Sequence, residues 1–127
     1  LLGGRLDRFT TVPDAAWHGV LDARAPRAES ETDEAALRLA RANARNAGRL
    51  LEAAPPNPRA VFVNDATIPF QSGDSPGVLT TYCDRGTFAV LNAFESDELG
   101  TDSTVSRNER SALADLRSWA DRVVELS

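Results

Sequence analysis

The stretch that most constrains this chain is its last fifty residues, from Gly77 to Ser127. Two runs rich in β-branched and aromatic residues, Val78–Cys83 and Thr87–Phe94, flank Asp84-Arg85-Gly86. A short glycine-containing link between two such runs is the pattern of a β-hairpin. Beyond an acidic connector, Glu95 to Thr104, comes a helical pattern over 106–126. Its apolar residues Ala112, Leu113, Leu116, Trp119, Ala120, Val123 and Val124 recur at helical spacing. Ser106-Arg107-Asn108-Glu109 fits a capping box, in which the serine accepts from a backbone amide and the glutamate reaches back. Burying this stripe against the hairpin is worth several kcal/mol at roughly 25 cal/mol per Å² of apolar surface.

A second long helix is expected over 32–54. Ser30 or Thr32 caps it, and Glu31, Asp33 and Glu34 lie at its electropositive end. Ala36 or Leu37, with Ala40, Ala44, Ala47 and Leu51, form its inner face, and Pro55-Pro56-Asn57-Pro58 ends it. The opposite face carries Arg38, Arg41, Arg45 and Arg49 at spacings of three and four, with no acid between Ala35 and Leu51. One reading is a solvated face, neutralised by Glu34 next to Arg38 and Glu52 next to Arg49. The other is a contact surface for an anion or an acidic partner.

Between helix and hairpin, Arg59 to Asn64 reads as a strand. Asp65 to Pro76 follows as a polar connection, and connections of this length are often binding loops. Toward the N-terminus, alternation over Arg5 to Val12 suggests an edge strand. Pro13 suits the first turn of a short helix carrying Trp17, Val20 and Leu21, and Ala23 to Ser30 reads as a loop.

Composition narrows the function classes. The 127 residues fit one domain, 1–127, large enough to bury a core. The single cysteine, Cys83, excludes an intramolecular disulfide and suggests a reducing, cytoplasmic setting. Its neighbour Asp84 disfavours the thiolate, so Cys83 reads as structural. His18 is the only histidine, so no His-based metal cluster is expected. Phosphate-loop and dinucleotide fingerprints are absent, and the chain reads as no enzyme. No apolar run approaches the ~20 residues of a membrane helix. A net charge of −5 argues against a nucleic-acid binder. All 14 basic residues are arginine, which with the Asp excess suggests a GC-rich or salt-adapted source. Methionine is absent, so the domain is expected to start upstream of Leu1.

Val61-Phe62-Val63-Asn64-Asp65-Ala66, the polar connection, the run Ala89 to Glu95 and the helix with Glu109, Leu113, Leu116, Ala120 and Val123 together resemble a GAF domain over residues 47–126. The resemblance implies an α+β fold, an antiparallel sheet flanked by helices in the GAF/PAS manner. It further implies a sensory module in signal transduction that binds a small ligand or dimerises through its helices. Candidate pocket residues are then Asn64, Asp65, Thr67, Gln71, Thr81, Tyr82 and Asn92; the cofactor is unknown. The alternative is a structural or interaction subunit of a larger assembly, such as a virion or multi-protein complex, with a protein partner or a second copy bound.

Overall fold

A computed structural model describes residues 16–94 and 103–125. The expected edge strand over 5–12 and most of the acidic connector lie outside the described residues. Six elements and one 3₁₀ turn make up the described fold: α1 (Pro26–Glu29), α2 (Asp33–Ala53), β1 (Ala60–Val63), the 3₁₀ turn Ile68–Phe70, α3 (Gly77–Cys83), β2 (Phe88–Leu91) and α4 (Thr104–Trp119).

The expected antiparallel sheet is overturned. The two described strands pair parallel, with Ala60 opposite Phe88 and Val63 opposite Leu91. Parallel strands need a crossover, and residues 64–87 supply one that contains α3. The segment expected as the first hairpin strand, Val78 to Cys83, is therefore a helix. Its Thr and Tyr residues favour strands locally, but Leu79 and Cys83 stand four apart and both are buried in the core. Pro76, whose fixed φ suits a helix start, precedes it at φ −71°. Tertiary burial outweighs a local preference worth about 1 kcal/mol at most.

Asp84-Arg85-Gly86 is correspondingly the exit from α3 and not a hairpin turn. The Gly86 amide donates to the Cys83 carbonyl at 3.0 Å. A Cβ at Gly86 would stand 3.3 Å from the carbonyl oxygens of both Pro58 and Arg59, so glycine lets the two chain segments enter the sheet side by side.

Helix α2 covers nearly the expected span. Thr32 caps it, its Oγ1 accepting from the Ala35 amide at 3.1 Å. Its buried residues are Ala36, Ala40, Asn43 and Ala47. Ala44, expected on the inner face, is only half-buried, and Asn43 takes that place. The reason is a polar clamp: Asn43 Oδ1 accepts from the Arg24 amide at 3.0 Å and Nδ2 donates to the Arg24 carbonyl at 2.8 Å. This holds an irregular segment, 17–25, where the helix carrying Trp17 was expected. The short helix forms later, at Pro26–Glu29, where a loop was expected, because proline presets its first turn.

Helix α4 starts two residues before the expected 106 and stops seven residues short of the expected 126. Ser103, not Ser106, is the N-cap, accepting from the Ser106 amide at 3.1 Å. Val123 and Val124, expected on the buried stripe, are exposed beyond its end. The buried residues of α4 divide between two clusters. Ala112 and Leu116 join Val61, Ala66, Phe70, Leu79 and Cys83 beneath the strand pair, while Val105 packs with Ala36 and Ala40 of α2. Asp33 links the starts of α2 and α4: its carboxylate accepts from the Thr104 amide at 3.0 Å and from Thr104 Oγ1 at 2.6 Å.

Candidate functional site

The seven expected pocket residues fall in separate places. Asn64, Asp65 and Asn92 meet at the C-terminal end of the strand pair. Asp65 sits at φ 55°, a conformation that aspartate tolerates, and its amide donates to Asn92 Oδ1 at 2.8 Å. The Asn92 carbonyl accepts from the Ala66 amide at 2.8 Å, so Asn92 is the anchor of that turn.

Thr67 and Gln71 lie elsewhere, buried between the 3₁₀ turn and α4. The connection expected as a polar binding loop is thus part of the core, with Ala66, Phe70 and Pro76 also buried. Thr67 Oγ1 donates to the Glu109 carboxylate at 3.1 Å, and Asn108 Nδ2 donates to the Gln71 carbonyl at 2.9 Å. Gln71 Oε1 is buried without a partner among the described residues. Asn108 and Glu109, read in the sequence as members of a capping box, instead fasten α4 to the 3₁₀ turn. Thr81 is exposed on α3, and the Tyr82 hydroxyl donates to the Pro55 carbonyl at 2.7 Å.

Cys83 is a buried free thiol whose pKa is pushed up to about 11, chiefly by burial and in smaller part by the charge of Asp84. Asp84 is otherwise occupied, accepting from Trp119 Nε1 at 3.0 Å. Among the described residues no group of three or more His, Cys, Asp or Glu side chains is arranged to hold a metal ion. No helix among them is long and apolar enough to cross a membrane.

Two surfaces are more distinctive than these residues. The first is the arginine face of α2. Arg38, Arg41, Arg45 and Arg49 are all exposed along one side of a regular helix. Spaced over eleven positions, they run about 16 Å at 1.5 Å per residue. Among the described residues neither Glu34 nor Glu52 pairs with them. Arg49 donates to Asn46 Oδ1 at 2.9 Å, and the other three have no partner among the described residues.

The second is the outer face of the strand pair, which the sequence reading missed. Val61, Val63, Ala89 and Leu91 point to the core, leaving Ala60, Phe62, Phe88 and Val90 on the other side. Phe62 is 66% exposed and Phe88 and Val90 53% each. The Phe62 and Phe88 rings meet edge to face, with centroids 5.8 Å apart. The available signal was the unbroken apolar character of Ala60–Val63 and Phe88–Leu91. Strands covered on one face alternate with polar residues, and parallel strands covered on both do not.

Compared with known proteins, the chain matches no family model, no curated protein and no solved structure.

Proposed function

We propose that this chain is a non-catalytic interaction subunit of a larger cytoplasmic assembly, joined to an acidic protein partner through the arginine face of α2. The observation that carries this reading is the stripe Arg38, Arg41, Arg45 and Arg49, exposed and with no acid paired to it among the described residues. Guanidinium groups engage carboxylates through two parallel N–H···O bonds, which gives the contact direction as well as attraction. A helix presents these forks in a fixed row, so the complementary surface is a row of Asp or Glu side chains.

The test is fluorescence anisotropy with a labelled oligoglutamate peptide as the probe, at low and at physiological salt. The wild-type chain is expected to bind, with affinity falling as salt rises. Arg38→Glu/Arg45→Glu is expected to weaken binding by about tenfold or more, since each reversed charge replaces attraction with repulsion. Circular dichroism checks that α2 is intact. Equal binding by both proteins, or tighter binding of a single-stranded oligonucleotide, would reject the reading.

A further inference from the structure

We infer that the outer face of the strand pair, Ala60, Phe62, Phe88 and Val90, seats the same face of a second copy of this chain. Parallel strands occur almost only with both faces covered, and here the core covers one. The second face is apolar throughout and holds two aromatic rings already fixed against each other. Its occupant is identified by charge. Because β1 and β2 run the same way, their starts lie together and so do their ends. Arg59 and Arg85 stand exposed at the start, their guanidinium groups in no hydrogen bond or ion pair among the described residues. Asp65 stands at the opposite end, and Asp84, the acid nearest the arginines in sequence, is already engaged by Trp119.

A two-fold axis lying between two such faces, perpendicular to the strands, reverses the strand direction of the partner. Each copy's Arg59 and Arg85 then approach the other's Asp65, and the contact is made twice. The strand pair is about 13 Å long at 3.3 Å per residue, and the reversal lays the arginine end of one copy over the Asp65 end of the other. The face is thus its own complement, which is the condition for an isologous dimer. Two two-stranded layers stacked in this way form a small sandwich about 10 Å thick. The apolar patch amounts to a few hundred Å² per copy at 150–250 Å² per aromatic side chain, less than the ~800 Å² per partner of a standard interface. The dimer is therefore reversible and concentration-dependent.

Sedimentation velocity on the full chain over a concentration series tests this. The expected result is a monomer–dimer equilibrium that weakens with salt. Phe62→Glu is expected to weaken association by at least about tenfold, and Arg59→Glu/Arg85→Glu by about as much, from like charge meeting Asp65. Val90→Thr keeps the β-branched shape of the strand, so its smaller loss of association is read on a folded protein. Arg38→Glu/Arg45→Glu must dimerise like the wild type, which separates this inference from the acidic-partner reading. A wild-type chain that stays monomeric up to ~1 mM, above the dissociation constants of weak interfaces, would overturn it. So would a dimer indifferent to Phe62→Glu.

Discussion

Asn43 is 1% exposed, and its side-chain amide satisfies both backbone groups of Arg24. An alanine there leaves the Arg24 amide and carbonyl without their partners in a part-buried site. We expect Asn43→Ala to cost about 1–3 kcal/mol, read as a lower midpoint in urea with little change in slope. Asn43→Asp would keep the acceptor and lose the donor, so it separates the two hydrogen bonds. The sequence concealed this residue because an asparagine between Ala42 and Ala44 reads as part of the polar side of a helix. Only its helical spacing from Ala36, Ala40 and Ala47 marks it as inward-facing. The arginine stripe was legible for the opposite reason: exposed charges on a long helix obey spacing alone, with no tertiary partner to move them.

At the scale of elements, α2 was readable because both of its ends are chemical stops, a threonine cap and a run of prolines. The α3 segment was not, because seven residues are too few for period to outvote β-branched composition. Its helical state depends on Leu79 and Cys83 sharing a face, a fact of packing. The α4 start was misplaced because two serines three residues apart both satisfy the cap pattern, and Ser103 wins where Asp33 receives Thr104. Those two bonds from Thr104 hold the Asp33 carboxyl below its ordinary pKa, since they favour the charged form. The unfolded state binds the proton more readily, so the contribution is present above the unfolded pKa, near 4, and disappears as pH falls through the lower folded value. We expect thermal midpoints to decline below about pH 4, and Asp33→Asn to reduce that decline.

For the whole molecule, the core beneath the strand pair sets the reactivity of its one thiol. Cys83 is buried with Val61, Phe70, Leu79 and Leu116. Labelling by an aromatic disulfide reagent at neutral pH is expected to be slow in water and fast in denaturant, with a native rate that reports opening of this core. The sign with pH follows from burial. A thiol whose folded pKa is near 11 contributes stability that is complete below its unfolded pKa and is lost as pH rises toward 11. Stability measured between about pH 8 and pH 11 should therefore fall, and Cys83→Ala, although less stable at neutral pH, should show a shallower fall.

The bond pair between Asp33 and Thr104 joins residues 71 apart in sequence. Closing so long a circuit costs chain entropy before any contact repays it, whereas α2 and the strand crossover are assembled from nearer neighbours. The expected order of events is that the crossover core forms first and the start of α4 docks onto α2 afterwards. The reverse order is expected on opening, with the serine-capped start of α4 leaving α2 while Trp119 stays bonded to Asp84.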